Sequence, residues 1–245
     1  MAIVDALGFR GIWRDHEPSD VVKVLRRAKR NVEGDAEYRT MLTDVEMKVA
    51  AFSDTLIFTA FSTAAETTPA ERTRATVAAI ASTVSFLMLT ACAKPVPLAY
   101  RGCVSYGNVT VSDSFFIGEA IDDAAEWYEK ADAGVVWLVP RVTRALELGE
   151  DFMLGLVPWE VPIKGVGHIT TLVVNPFFEQ VAIHGLNEAV LDVAERKLLS
   201  PFERSTRIDV VRKQQQTQVF MNAAREHTTE HYPAWLAVAG TASAQ

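Results

Sequence analysis

Cysteine is scarce. The chain carries two, Cys92 and Cys103, too few for a disulfide framework, so a reducing compartment such as the cytoplasm is expected. A basic surplus is also missing. Lys and Arg number 24 against 31 Asp and Glu, a net charge of -7. That balance argues against a duplex-binding protein but leaves room for a local basic pocket. The first residues lack a basic stretch, and Asp5 interrupts the apolar run behind it, so they do not read as a signal peptide. No internal repeat is found. One long stretch is free of charge, residues 75–93 (ATVAAIASTVSFLMLTACA). It approaches membrane-spanning length, but its Ala, Ser and Thr content favours a helix packed on a sheet over a lone span. What is present is ordinary for a globular protein: 49% hydrophobic and 22% charged residues. A chain of 245 residues has room for one large domain, or one domain with an extension.

Hydrophobic periodicity sets the elements. Residues 2–7 read as a strand closed by Gly8, and 20–31 as an amphipathic helix. Residues 45–61 read as two strands with a tight turn at Ser53-Asp54. A polar loop holding Pro69 leads to a helix over 71–93, stopped by Pro95 and Pro97. Residues 98–112 are β-rich and broken by Gly102 and Gly107. A helix over 118–132, a buried strand over 134–139, a helix over 141–156 and a strand over 169–175 come next. Beyond Pro176 only helices are expected, over 178–199 and 208–227, then a disordered tail from Gly240. This order predicts an α+β fold, a ferredoxin-like βαββαβ core with a C-terminal helical extension. The division expected is a core domain over 1–177 and an appendage or dimerisation arm over 178–245.

Two aspartates stand out. Asp5 sits at the end of an apolar strand, where an unpaired carboxylate is costly to bury. Asp54 lies in the turn of the next hairpin. In a ferredoxin-like sheet strands one and three are neighbours, so the two carboxylates can meet. Hard cations favour one or two carboxylates plus phosphate oxygens, and a pair of ions can serve both an attacking and a leaving oxygen. The turn Leu7-Gly8-Phe9-Arg10-Gly11 precedes an expected helix, so its free N–H groups can hold phosphates. Taken singly, Asp5 as a helix-entry residue and Asp54 as a turn former are the plainer readings; the pair favours metal.

These residues carry a resemblance. Val4-Asp5-Ala6-Leu7-Gly8-Phe9 resembles the Asp-Ile-x-Gly-Phe motif of the class III nucleotidyl cyclases. Phe52-Ser53-Asp54-Thr55 is similar to their second metal motif, usually Gly-Asp. Residues 101–107 (RGCVSYG) resemble their Arg-x-Gly-Ile-x-x-Gly strand, 118–126 (GEAIDDAAE) their Gly-Asp-x-Val-Asn-x-Ala-Ala-Arg helix, and 163–167 (IKGVG) their Val-Lys-Gly-x-Gly turn. The matches run in order over residues 2–175. The resemblance implies a class III cyclase domain acting as a homodimer with composite sites. A nucleoside triphosphate would lose pyrophosphate as its 3′-hydroxyl attacks the α-phosphate. Asp5, Ala6 and Asp54 would hold two divalent ions, Mn²⁺ or Mg²⁺. Backbone N–H groups of Leu7, Gly8 and Phe9 would hold phosphates, and Lys164 from the partner chain would contact the triphosphate.

The chain departs from that pattern at the sugar and base end. Asp122 and Glu126 replace the motif's Asn and Arg, and Asn108 replaces an Arg that often comes after the second glycine. Arg10, Arg14 and Arg101 are the candidate substitutes. At the base-reading positions stand Ala50 and Phe115, neither able to hydrogen-bond a purine edge. A bulky Phe115 or Phe116 suits a smaller ring, and Lys48 shares a strand face with Ala50. This combination most resembles the bacterial pyrimidine cyclases of Pycsar anti-phage defence. It implies UTP or CTP as substrate, cyclic UMP or cyclic CMP as product, and a downstream effector as partner. A purine cyclase and an inactive nucleotide-binding or dimerisation module are the alternatives.

Two further features are weighed. His227-Thr228-Thr229-Glu230-His231 matches the H-x-x-E-H zinc motif, but Pro233 is expected to end its helix at once, and a polar helix terminus is the favoured reading. Lys23, Arg26, Arg27, Lys29 and Arg30 read as a solvated helix face near the phosphate turn.

Overall fold

The computed structural model describes all residues except 8, 10–11, 93–94, 113–114, 147–154, 204–206 and 243–245, with side chains described up to 237. The chain opens with β1 (Ala2–Leu7) and a 3₁₀ turn, Ile12–Arg14. Then come α1 (Pro18–Leu42), the hairpin β2 (Val45–Phe52) and β3 (Thr55–Ser62), α2 (Pro69–Ala91) and β4 (Ala99–Val104). A separate hairpin, β5 (Thr110–Ser112) and β6 (Phe115–Ile117), precedes α3 (Glu119–Trp127). Next are β7 (Val136–Leu138), α4 (Pro140–Ala145), β8 (Leu156–Ile163) and β9 (Gly167–Val174). The chain closes with α5 (Phe178–His184), α6 (Glu188–Leu199) and α7 (Ile208–Ala242).

Seven strands form one sheet in the order β2-β3-β1-β4-β7-β9-β8. Its first four strands are mutually antiparallel, which is the ferredoxin-like βαββαβ arrangement. β7 then adds parallel to β4, and the β8–β9 hairpin extends the sheet beyond it. The α+β class and the C-terminal helices therefore stand as the sequence reads.

α1 and α2 cover one face. Thr83 of α2 touches Met47, and the buried row Ala2, Val4, Leu56 and Phe58 lies on that side. α1 turns Val21, Val24, Ala28, Val32 and Ala36 inward, a stripe at helical spacing. Its second half buries only small or isolated apolar residues, which is why the periodicity stops short at residue 31. α2 starts on a complete capping box: the Thr68 side chain accepts from the Glu71 N–H while Glu71 accepts from the Thr68 N–H, and Pro69 sits in the first turn. Among the described residues α2 is the one helix long and apolar enough to cross a membrane, and 67% of that stretch is buried inside the fold.

Several expected elements are corrected. The helix read over 141–156 is a short one ending at Ala145, and Leu156 already opens β8, while 147–154 lie outside the described residues. The residues before the Lys164 turn pair with β9 throughout, a non-local pairing that periodicity does not reveal. The helix read over 178–199 is broken at Gly185, whose φ is 75°, a conformation suited to glycine. Pro233 does not end α7. Trp235 beyond it packs edge-on against Phe178 at 6.0 Å and stacks near Tyr232 at 5.7 Å, contacts that hold the segment helical despite the lost N–H. The helix also continues through residues 240–242, where a disordered tail is expected.

The C-terminal helices share the core. Phe220, Met221 and Ala224 are buried with the sheet residues. Thr217 Oγ1 accepts a 2.8 Å bond from the buried Gly134 N–H, and Trp159 of β8 meets Phe220 at 5.0 Å. A charged seam ties α5 to the first helices. Arg39 pairs with Asp35 at 2.8 Å and Glu179 at 3.0 Å, Ser82 donates to Glu179, and Thr83 donates to Asp35 at 2.6 Å.

Candidate active site

On the face opposite α1 and α2, Asp5 lies in register between Thr55 of β3 and Arg101 of β4. Cα partners across antiparallel strands point to one face, so the three side chains form a row. Thr55 Oγ1 donates to Asp5 Oδ1 at 3.1 Å, and an Arg101 Nη atom stands 3.8 Å from Asp5 Oδ2. Both charged side chains are nearly buried, 14% and 11% exposed.

The two-residue turn Ser53-Asp54 folds back over this row: the Ala6 N–H donates to the Asp54 carbonyl at 3.3 Å. The sheet register therefore brings Asp5 and Asp54 together, as the spacing predicts. The result is electrostatically awkward. Burial first, and then the Asp54 charge, push the Asp5 carboxyl up to about 6, with the Thr55 hydroxyl and Arg101 opposing. A carboxylate so placed is only partly balanced by Arg101, and a divalent cation would supply further positive charge. Among the described residues no group of three or more His, Cys, Asp and Glu is gathered for a metal. A nucleotide-borne ion needs only one or two carboxylates from the protein, so Asp5, Asp54 and the Ala6 carbonyl fit the metals the resemblance implies.

Arg101 and Lys164 converge on one acceptor. Arg101 donates to the Glu129 carbonyl at 2.8 Å, and Lys164 Nζ donates to the same oxygen at 3.0 Å. Lys164 stands at the tip of the β8–β9 hairpin, and its backbone N–H bonds the Lys130 carbonyl. Burial first, then Arg101 and Lys213, pull its ammonium below the usual lysine range. Tyr128, bonded to Glu129 at 3.1 Å, is pushed up to about 12 by burial and then by that carboxylate. The first turns of α7 approach the same region, with Arg212 paired to Asp132 and Lys213 to Asp209 at 3.7 Å.

The remaining predicted residues lie elsewhere. Leu7 ends β1, Phe9 is half-buried with its ring 5.7 Å from Trp13, and Gly8 falls outside the described residues. Behind that turn stands a single 3₁₀ turn, and α1 begins only at Pro18. The expectation that the turn opens into a helix is corrected, because Ile12 N–H bonds Phe9 O in a tighter turn and α1 follows only after it. Lys48 and Ala50 sit on β2, two strands from Asp5, and Lys48 pairs with Glu46 at 3.1 Å. Phe115 stands 72% exposed on the separate hairpin. Within one chain the residues expected to read the base are therefore not gathered with the carboxylates. Asp122 and Glu126 are exposed on α3, and Glu126 faces Lys130 at 3.4 Å. Of the three substitute arginines, Arg101 lies beside Asp5, Arg14 is exposed, and Arg10 is outside the described residues.

Glu129 joins the site although no motif singles it out, and Thr55, quoted above only as the end of the second metal motif, joins it by its hydroxyl. Thr55 is readable from the hairpin register. Glu129 acts through its backbone carbonyl, which no side-chain pattern reveals. His227 and His231 stack at 4.3 Å on α7, far along the chain from this site and without a third metal-binding side chain among the described residues.

No family model matches the chain, and no curated protein matches it. Among solved structures it is similar to the guanylate cyclase domain of RhGC from Catenaria anguillulae in complex with GTP: TM-score 0.47, 14% identity, covering 71% of this chain and 93% of that one. It is similar to the adenylyl cyclase CyaB from P. aeruginosa at TM-score 0.47 and 13% identity, covering 71% and 91%. It is also similar to adenylate cyclases from Trypanosoma brucei in their monomeric state, at TM-score 0.48 and 14% identity, covering 71% and 88%.

Proposed function

We propose that the chain is a nucleotidyl cyclase that converts UTP or CTP to the 3′,5′-cyclic nucleotide and pyrophosphate. The observation that carries this reading is the carboxylate pair, in which Asp5, nearly buried, feels the charge of Asp54 and has Arg101 as its ion-pair partner among the described residues. The ordered motif resemblance over residues 2–175 supports it. Asp5, Asp54 and the Ala6 carbonyl would hold two divalent ions, which when bound would supply Lewis-acid activation of an oxygen nucleophile and neutralisation of phosphate charge. Arg101 and Lys164 are the cations available to the triphosphate, and their shared hold on one carbonyl leaves each with donors to spare. No covalent intermediate with the protein is required, since positioning and charge stabilisation carry phosphoryl transfer.

Because Lys48, Ala50 and Phe115 stand apart from the carboxylates in one chain, the reading includes a head-to-tail homodimer. In it the base-reading residues come from the partner subunit, while Lys164, expected to reach across from the partner chain, instead lies beside Arg101 of its own chain and serves that chain's site. Residues 1–177 supply the chemistry and 178–245 the helical extension. The cyclic product is a second messenger for an effector in anti-phage defence, and the compartment is the cytoplasm.

Purified protein with Mn²⁺ and each of the four NTPs tests this directly. Pyrophosphate release mainly from UTP or CTP is expected, and turnover of ATP or GTP alone sinks the pyrimidine reading. The exposed acids Asp122 and Glu126, where the resemblance expects Asn and Arg, favour one other reading: a module that binds nucleotide without turnover. It predicts a melting shift with Mn²⁺ and UTP but no pyrophosphate.

A further inference from the structure

Cations gather beside Asp5, and two of them come from α7. Arg101 stands 3.8 Å from Asp5, and Lys164 bonds the same Glu129 carbonyl as Arg101. Arg212 and Lys213 approach from the second turn of α7. Backbone bonds fix how these groups meet. The tip of the β8–β9 hairpin is held to residues 130–132. There the Asp132 N–H donates to the Pro162 carbonyl at 2.8 Å, and the Lys164 N–H to the Lys130 carbonyl at 2.9 Å. Ala131 bridges Ile163 between them. Asp132 in turn receives Arg212. One turn later, Thr217 accepts from the Gly134 N–H at 2.8 Å and donates to the Lys213 carbonyl at 2.7 Å. α7 is thus pinned on both sides of Lys213 to the segment that holds the Lys164 turn. Gly134 also lies against Leu7, where the expected phosphate turn starts. A Cβ at Gly134 would stand 3.3 Å from the Thr217 hydroxyl and 3.4 Å from a Leu7 methyl.

The nearby carboxylates are already engaged. Asp132 takes Arg212, Asp209 takes two bonds from Arg207 at 3.0 and 3.2 Å, and the Glu129 carboxylate accepts from Tyr128 at 3.1 Å. Lys213, its side chain 15% exposed, is left with Asp209 at 3.7 Å, beyond hydrogen-bond reach. Its ammonium has no hydrogen-bond acceptor among the described residues. Lys164 has only a neutral carbonyl. Like charges held together in a partly buried place repel. Burial first, then Arg101 and Lys213, accordingly lower the Lys164 ammonium. A polyanion relieves that repulsion and supplies the missing acceptors.

We infer that Lys213 is a third phosphate-binding cation, through which the C-terminal helix α7 holds the outer phosphates of the nucleoside triphosphate. The inference rests on the cyclase reading for the nucleotide, and it leaves the metals and the attack with residues 1–177. The order of the cations sets the assignment. Arg101 adjoins Asp5 and so belongs with the ions and the α-phosphate. Lys164 comes next, on the carbonyl it shares with Arg101. Lys213 lies beyond Lys164 and makes no ion pair with Asp5 among the described residues. A triphosphate running outward from Asp5 meets the three in that order. A lysine ammonium, a point charge with three donors on a flexible stem, suits a terminal phosphate.

The probe is inorganic tripolyphosphate with Mn²⁺, titrated into the full chain by calorimetry. Uridine 5′-monophosphate is the comparison ligand that lacks outer phosphates. Lys213→Met is expected to weaken tripolyphosphate about tenfold and to leave the monophosphate unchanged. Lys213→Arg is expected to stay within about threefold of the parent, since it keeps the charge. In the unaltered chain, tripolyphosphate is expected to slow acetylation of Lys213 severalfold, read by mass spectrometry, while exposed Lys23 on α1 reacts as before. That second readout decides the matter if the Met variant fails to fold. No parent binding at millimolar tripolyphosphate, equal affinity in parent and Lys213→Met, equal weakening of both ligands, or an unprotected Lys213 overturns the inference. The four-NTP assay separates it from the cyclase reading: tripolyphosphate held through Lys213, with no pyrophosphate released from any NTP, defeats that reading alone.

Discussion

Asp5 costs the metal-free protein something, and that cost can be measured. It is nearly buried, feels the charge of a second carboxylate, and among the described residues is balanced by a hydroxyl and an arginine 3.8 Å away. Asp5→Asn keeps the shape and removes the charge. Melting of the metal-free protein at pH 7.5 is expected to rise, while the Mn²⁺-induced melting shift and all pyrophosphate release are lost. A rise in melting with turnover retained would remove Asp5 from the site. Asp123 offers a pH test away from the metals. Its Oδ2 is buried without a hydrogen-bond partner among the described residues, and burial first, then Glu126, raises its carboxyl above the usual range while Arg141 opposes. A raised folded value means the favourable contribution is complete below the ordinary carboxylate range and is lost as pH climbs through the raised one. Asp123→Asn is therefore expected to gain stability over the parent between pH 4 and 7, read as the difference between their melting curves.

At the level of elements, local chemistry and long-range pairing divide what could be read in advance. The β2–β3 hairpin and α2 are legible because alternation, Thr68, Pro69 and Glu71 act within a few residues of one another. β8 is hidden because its strand character comes from β9, and α7 reads short because Pro233 is held helical by Trp235 and Phe178, the latter distant in sequence. The carboxylate pair is legible from topology alone, whereas the Glu129 carbonyl that gathers Arg101 and Lys164 leaves no trace in residue types. Thr217 shows what such hidden bonds contribute. Its hydroxyl accepts from the buried Gly134 N–H, so Thr217→Val strands a donor at nearly constant volume. Denaturant unfolding is expected to show a loss of about 1–3 kcal/mol, whereas a loss within error would mean water replaces the bond.

For the whole molecule, the helices after residue 177 are part of the fold's interior. Phe220, Met221 and Ala224 lie in the same buried cluster as the sheet, and Arg39 and Glu179 join α1 to α5 across α2. An appendage would come away cleanly. A chain ending at residue 177 is instead expected to lose cooperative unfolding and to aggregate, checked by calorimetry and gel filtration. A sharp transition for that shortened chain would support the two-part division and make the extension dispensable for folding. The seam also predicts an asymmetry. Arg39→Met leaves two carboxylates without their shared cation and is expected to cost about 3–5 kcal/mol, while adding Glu179→Gln to it recovers part of that loss.

Ser53 stands where the resembling motif carries glycine, and it is the one non-glycine residue described with a left-handed backbone, φ 56°. It occupies the first place of a two-residue hairpin turn, a position that glycine fills most easily. The lineage of this protein therefore had few letters to choose from there. Drift toward Gly, Asn or Asp is open, while drift toward Val, Ile or Thr is closed by the backbone whatever becomes of the chemistry. A collection of descendants that had abandoned catalysis would still show that restricted alphabet at residue 53, while Asp54 beside it varied freely.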